Sequence, residues 1–444
     1  MTALEEFAQG LFELSQTTLP DEVVHETRRC FFNVLGTSLG ARHAREVDDL
    51  ILTGLQLGGA EISVLGRSEI LDRLFAAEVL GFAAHFDDFD DTHLETVIHP
   101  GAATMAALYP LGLLGDVPGP VALMAMALGV EAQLRVGLAM TPSHYDLGWH
   151  ITGTCGVVGA AVASSVMLGF DARGISNAIA LALTMTVGQR EAFGTPIKPY
   201  HAGKAASNGL LAALLVEEGV TAPAELLTDD AGYFAVLSDE WSTAWIDPLD
   251  LGRRWVILDN TYKPYPCGIV AHPAIEAATL LFPQLANVDD AKIERVSVAC
   301  NPLVVELMGR PSASTGLEAR FCAIHGVTVG LLTGRGGLTE FSDAMAIDAR
   351  VVSLRDRTKL EPDDAHGRQA ATVTVHLIDG STLVQSVEAA SGSVERPLTD
   401  EQLHEKFVAL LGPELEQRSE AIATAAMALG RTTIAEIDGT VQGR

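Results

Sequence analysis

From its start to about Val256 the chain places apolar residues with a helical period. In "DEVVHETRRCFFNVLGTSLG" the residues Val23, Val24, Cys30, Phe31, Val34 and Leu35 fall on one face, and Gly36 or Gly40 is the expected stop. "SEILDRLFAAEVLGFAAHFDDFDD" keeps the same period and runs into an acidic cluster. Further helices are predicted over 102–115, 119–140, 151–169, 173–188, 203–219 and 222–237. Several are apolar nearly all round and rich in Ala and Gly, the texture of helices packed inside a bundle.

Around Lys263 the period shortens to two. "IERVSVACN" and "ATVTVHLIDGSTLVQSV" alternate β-branched and polar residues, and Asp379-Gly380 is a hairpin signal. A helix is expected near 315–333, and helical texture returns at "TDEQLHEKFVALLG". The expected fold is mainly α: an all-helical domain from 1–263 and 396–444, and a smaller α+β domain from 264–395.

Composition narrows the function. With 57 acidic against 29 basic residues the 444-residue chain carries a formal charge of -28. Such a surface argues against nucleic acid or an anionic membrane as partner, because phosphate binding needs clustered Lys and Arg. It does not argue against a small acidic substrate held by a local basic pocket. The five cysteines are odd in number, widely spread and form no C-x-x-C pair, so neither a disulfide framework nor a zinc site is expected. A reducing, cytoplasmic setting fits, and "MTALEEFAQGLFELSQ" lacks the pattern of a signal peptide. The uncharged window Ile151 to Phe170 could span a bilayer by length, but its Gly, Ala, Ser and Thr content reads as a core helix.

Four segments could carry chemistry. In "HFDDFDDTHLETVIHPG" four aspartates stand in five positions, bracketed by His85, His93 and His99. Asp87, Asp88 and Asp91 satisfy the D-D-x-x-D pattern with which helical terpene synthases hold magnesium. No second magnesium motif follows, and 6% aromatic residues is thin for stabilising carbocations. The alternative is metal-free acid/base work, with aspartates orienting a histidine; a solvated acidic helix end is the plain structural alternative. In "HYDLGWHITGTCG", His150 stands at the mouth of a predicted helix, where it is either a pocket donor or a satisfied structural residue.

"REAFGTPIKPYHAGKAASNG" concentrates Arg190, Lys198, His201 and Lys204 in a chain poor in basic residues. Pro196 and Pro199 disfavour helix there, so the helix is expected to open near Gly203 with Lys204 in its first turn. Lys198, His201 and the free N–H groups of that turn would receive a carboxylate, unless the segment is a basic surface loop paired with acidic neighbours. "NTYKPYPCGIVAHPAIEA" holds Lys263 between Tyr262 and Pro264, with His272 opening a further helix. Cys267 has no identifiable base nearby and reads as a buried bystander.

Taken in order, "DFDDTH" with "HPG", "GWHITGTCG", "REAFGTPIKPYHAGKAASNGLLAALLVEEG", "KPYPCG" with "AHPAIEA", and "TGLEARF" resemble the MmgE/PrpD family of 2-methylcitrate dehydratase, cis-aconitate decarboxylase and iminodisuccinate epimerase. The resemblance implies a homodimer, a pocket between two domains, and chemistry on di- or tricarboxylates that needs no cofactor or metal. Carried over, the family's active-site aspartate falls on Asp88, its threonine on Thr92, its histidines on His99 and His150, and its lysines on Lys198 and Lys263. Arg190, His201, Lys204, Tyr262 and His272 are the expected substrate-binding neighbours. The chain departs from the pattern in three places. Gly268 stands where the decarboxylase branch has a histidine, His325 where many members have a tyrosine, and an extra residue separates Thr92 from His99.

The expected function is a dehydratase-type carbon–oxygen lyase on a citrate-like or hydroxy-dicarboxylate substrate. Lysines would pair with carboxylates, a histidine oriented by Asp88 would remove the adjacent proton, and a second histidine would protonate the departing hydroxyl. An epimerase of a substituted succinate, or a decarboxylase, would use the same proton abstraction.

Overall fold

The computed structural model describes residues 1–285 and 288–443. Helices dominate, and they hold two principal hydrophobic cores. The larger core draws on side chains from Leu4 to Tyr262 and again from Leu398 to Val441. The smaller contains side chains from Cys267 to Val387. It packs helices against a four-stranded sheet, in the spatial order Thr358–Pro362, Ile293–Cys300, Ala371–Leu377, Thr382–Val387. The last two strands form the expected hairpin, with Gly380 at φ +86 in its turn.

The long helices lie close to their predicted spans: Pro100–Leu114, Gly119–Met140, Ile151–Met167 and Ala172–Leu183. Gly119–Met140 is long and apolar enough to cross a membrane, and 94% of its apolar window is buried inside the protein. Every residue of Ile151–Met167 is buried as well, so the uncharged window is core packing.

Several boundaries differ from expectation, each for a local reason. Asp21–Ala41 runs through Gly36 and Gly40, which instead give room for Phe407 and Leu410 of the Asp400–Leu411 helix. The segment before Arg73–Phe86 is a two-residue strand, Ile70–Leu71, and Asp72 caps the helix by accepting from the N–H groups of Leu74 and Phe75. The 222–237 segment is broken into Ala224–Leu227 and Tyr233–Leu237 around a turn at Gly232. Likewise 315–333 divides into Gly316–Ala319 and Ala323–Thr333.

The helix expected to open near Gly203 begins at Ile197. Pro199 sits in its first turn, where a backbone N–H would have no intrahelical acceptor, so proline costs nothing there. This helix crosses Arg73–Phe86 at Gly203 and Gly81. A Cβ on Gly203 would lie 2.3 Å from the carbonyl oxygen of Glu78, so only glycine permits the approach. That crossing brings Lys198 and His201 beside the acidic end of the neighbouring helix.

Candidate active site

Arg73–Phe86 ends in a turn whose conformation sets the site. Asp88 adopts φ 50, a left-handed conformation that Asp tolerates better than most residues. Its N–H donates to the carbonyl of His85 at 3.2 Å, and the chain doubles back so that Asp90 faces His85. Asp91–His93 then pairs antiparallel with Asn260–Tyr262, Asp91 opposite Tyr262. This short ladder delivers Lys263 to Asp88 across a long stretch of sequence.

At the centre lies a buried cluster of charge. The Lys198 ammonium donates to Asp88 Oδ1 at 2.6 Å, and Lys263 lies 3.0 Å from the same oxygen and 3.0 Å from the Asp88 carbonyl. Burial alone would raise the Asp88 carboxyl, but Lys198 and then Lys263 hold it well below the usual carboxylate range. Lys198 is itself lowered by burial, against the opposing pull of Asp88.

Two histidines flank this pair. His99 faces Asp88 through Nε2 at 3.7 Å and Asp90 through Nδ1 at 3.0 Å, while the Thr92 hydroxyl lies 3.3 Å from Nδ1. Burial pushes His99 down to about 3, with the nearby lysines reinforcing it against Asp90. His150 stands at the N-cap position of the Ile151–Met167 helix without a side-chain capping bond, its Nδ1 3.0 Å from Nδ1 of His201, and burial followed by Lys198 holds it well below its usual value. Both imidazoles are therefore neutral at physiological pH and able to accept a proton.

Asp88, Thr92, His99, His150, Lys198 and Lys263 line one cavity of about 50 Å³. Its opposite wall is apolar: Phe193, Ile269, Val270, Leu307, Met308 and Phe321. Val97, with φ 54, also reaches it from the loop between Thr92 and His99. That loop closes on itself, the His93 N–H donating to the Ile98 carbonyl at 2.8 Å, and His99 reaches the pocket. Gly268 is a pocket residue whose Cβ, if it had one, would lie 2.3 Å from the Met308 sulfur.

The other expected residues lie elsewhere. Lys204 donates to Glu78 at 2.9 Å, joining two helices, and takes no part in the pocket. Arg190 stacks on Tyr145 and pairs with Glu306 at 2.8 Å near the surface. His201 stands behind His150. Tyr262 donates to Glu26 at 2.5 Å, and His272 contacts the Cys267 carbonyl at 3.2 Å, both outside the cavity lining. His325, also outside it, contacts the Glu340 carbonyl through Nε2 at 2.9 Å and meets the Phe341 ring edge-on, so it fills core space in the smaller unit.

The D-D-x-x-D reading is overturned by where its carboxylates point. Asp87 pairs with Arg320 at 2.5 Å, Asp88 with two lysines, and Asp91 accepts from Asn260 at 2.8 Å and from the Gly101 N–H. Three carboxylates committed to separate partners present no common face to magnesium. Asp88, expected to orient the histidine, lies 3.7 Å from His99 Nε2, and the carboxylate within hydrogen-bonding distance of the ring is that of Asp90, on Nδ1.

Sequence reasoning left three contributors unassigned. Asp90 and His85 stood within the quoted acidic segment, but nothing in their spacing separates them from Asp87 and Asp91, which are buried against other partners. Lys406, from the Asp400–Leu411 helix, donates to the carbonyls of Phe89 and Lys263 at 2.7 and 2.9 Å and so ties both backbone segments of the site together. No sequence signal marks it.

Two family models match the chain, the MmgE/PrpD N-terminal domain over residues 5–245 and the MmgE/PrpD C-terminal domain over 265–429. The second extends past Leu398, where side chains already belong to the larger core. Among curated proteins the chain is 27% identical to cis-aconitate decarboxylase of Mus musculus over 91% of its own length and 85% of that protein. It is 28% identical to the Homo sapiens cis-aconitate decarboxylase over 91% and 86%. Against 2-methylcitrate dehydratase of Escherichia coli O157:H7 it is 24% identical over 83% and 82%.

Proposed function

Because the chain belongs to the MmgE/PrpD family, we propose that it is a lyase of the dehydratase type, acting on a citrate-like di- or tricarboxylate by proton abstraction next to a carboxylate. The observation that carries this reading is the meeting of two ammonium groups on one oxygen, beside two neutral histidines. Asp88 Oδ1 occupies the position that a substrate carboxylate oxygen would take. A substrate displacing it gains two charge-assisted contacts in a buried site.

With the carboxylate so held, the negative charge that develops as the adjacent proton leaves is spread onto oxygens already facing Lys198 and Lys263. His99 takes that proton on Nε2. The carbon–oxygen bond then breaks with its electron pair on oxygen. His150 is neutral at rest and cannot supply a full proton, so the departing hydroxyl draws its proton from the Lys198 ammonium, whose acidity burial has increased. Water leaves, and the proton on His99 returns to Lys198 to close the cycle.

A second reading, decarboxylation, is favoured by the names of the two mammalian relatives. The first part of the reaction would be shared, since both develop charge on a carboxylate-stabilised carbon. Proton NMR of the protein in D2O with 2-methylcitrate, citrate, cis-aconitate, malate and substituted succinates separates the outcomes. New vinylic signals with retention of all carboxylates support the dehydratase. Release of carbon dioxide selects the decarboxylase, and deuterium exchange with inversion and no alkene selects an epimerase. No change with any of these compounds would sink the reading.

A further inference from the structure

We propose that Asp90 and His85 are positioning residues that fix the tautomer of His99 before substrate arrives, so that Nδ1 carries the hydrogen and Nε2 offers its lone pair to the pocket. The consequence for turnover rests on the reading of His99 as base given above. The tautomer itself does not.

Asp90 bridges two rings. One carboxylate oxygen lies 3.0 Å from Nδ1 of His99, and the other 2.8 Å from Nδ1 of His85, with the Asp90 side chain wholly buried. An ionised carboxylate can only accept, so each nitrogen within hydrogen-bonding distance of Asp90 must carry hydrogen, whereas the 3.7 Å between His99 Nε2 and Asp88 is too long for such a bond. A neutral imidazole has a single N–H, which leaves Nε2 bare on both rings. For His99 that nitrogen is the one 3.7 Å from Asp88, on the side of the lysines.

His85 makes the arrangement rigid. It engages the second oxygen of Asp90, so the carboxylate cannot rotate away from His99 without leaving a buried N–H unpaired. Its ring meets the His99 ring edge-on at 4.4 Å between centroids and stacks on that of His150 at 5.7 Å, which places it between the two pocket histidines. Its Nε2 is buried without a partner among the described residues, as expected for a bare nitrogen with no work of its own.

The same atoms invite a metal reading, since single donor atoms of His85, Asp88, Asp90 and His99 lie within 4.8 Å of one another. Two ammonium groups already sit on Asp88 Oδ1, and a cation there would be held against the repulsion of both. The hydrogen-bonded reading uses every one of these contacts as it stands.

The test begins with the full-length protein labelled with 15N-histidine, without substrate and near neutral pH, His99 being assigned by loss of its signals in His99→Gln. The expected result is a protonated Nδ1 and an unprotonated Nε2; the opposite tautomer overturns the proposal. Kinetics supply the second arm. In Asp90→Asn the amide can donate to His99 and reverse its tautomer, so kcat should fall about 10²- to 10⁴-fold while KM stays within about threefold. Unchanged kcat in a folded Asp90→Asn overturns the role of Asp90.

For His85, asparagine places an N–H near the lost Nδ1 and leucine does not. His85→Asn should keep kcat within about tenfold of wild type and His85→Leu should fall well below it; equal losses overturn the role of His85. A reversed tautomer in an active enzyme sinks this inference alone. A correct tautomer in a protein inactive on every carboxylate tested sinks the proposed function and leaves the inference standing.

Discussion

The Lys198 ammonium and the Asp88 carboxylate meet at 2.6 Å where the side chains of both are only 5% exposed. A buried pair of this kind is costly to assemble and costlier to break from one side, since removing one partner leaves an uncompensated charge. Here Lys263 also holds Asp88, so losing Lys198 weakens the site without emptying it of positive charge. Lys198→Met should therefore fold. Its kcat/KM on the true substrate should fall about 10²-fold or more, with KM raised and kcat lowered together, as read from steady-state kinetics and checked by circular dichroism.

His99 and His150 should separate from the lysines in the same assay. Neither holds a carboxylate in the mechanism, so His99→Gln should lower kcat about 10²- to 10⁴-fold with little change in KM. His150→Gln should lower kcat by less, because His150 lines the cavity but neither removes nor supplies a proton in the mechanism. Retention of wild-type kcat in His99→Gln would remove it as the base.

The effect of pH on stability follows from the buried histidines. Burial lowers His93, His144, His201 and His325 to about 4, and His99 and His272 to about 3. A histidine whose folded value lies below its unfolded value of 6.5 binds its proton more readily when unfolded, so stability is full above 6.5 and is lost as pH falls toward 3 to 4. Glu26 and Asp91, both raised to about 7 chiefly by burial, act in the opposite sense, favouring the fold at low pH and losing that contribution as pH rises through 7. Six groups outweigh two. The thermal midpoint should drop between pH 7.5 and pH 5, and a midpoint that rises would contradict the neutral state of the histidines.

Gly268 and Met308 form a matched pair in the apolar wall. A methyl group at 268 would lie 2.3 Å from the Met308 sulfur, so Gly268→Ala must displace Met308, itself a lining residue of the cavity. KM should rise several-fold in Gly268→Ala, and the added change Met308→Ala should restore it by vacating the space. Failure of the double variant to recover would mean that Gly268 serves the backbone path and not the fit to substrate.

Lys406 links the site to the C-terminal helix. Lys406→Met keeps the length of the side chain but leaves the Phe89 and Lys263 carbonyls without their donor, and each buried unsatisfied carbonyl costs about 1–3 kcal/mol. The variant should melt several degrees lower in a thermal scan, and its remaining activity should be reduced because Lys263 is no longer held. An unchanged midpoint would show that the contact carries no stability.

The sequence by itself determined what periodicity and local chemistry can determine. The change from a helical period to a period of two near Lys263 divided the chain into its two textures, and the Asp379-Gly380 turn fixed a hairpin. The quoted segments carried the family and pointed to Asp88, Thr92, His99, His150, Lys198 and Lys263, all of which line the pocket. Which charged side chains face one another was decided only by the tertiary structure. Lys198, His201 and Lys204 look equivalent in a line, yet on a helix that starts at Ile197 the first two share a face and Lys204 is turned about 120° from Lys198, toward Glu78. Reading that helix from Gly203 concealed the difference. Asp90 and Lys406 were hidden for a related reason, since their partners are set by a left-handed turn at Asp88 and by packing of a helix more than three hundred residues away. Spacing along the chain carries no information about either, because hydrogen bonds follow distance in space and not order in sequence.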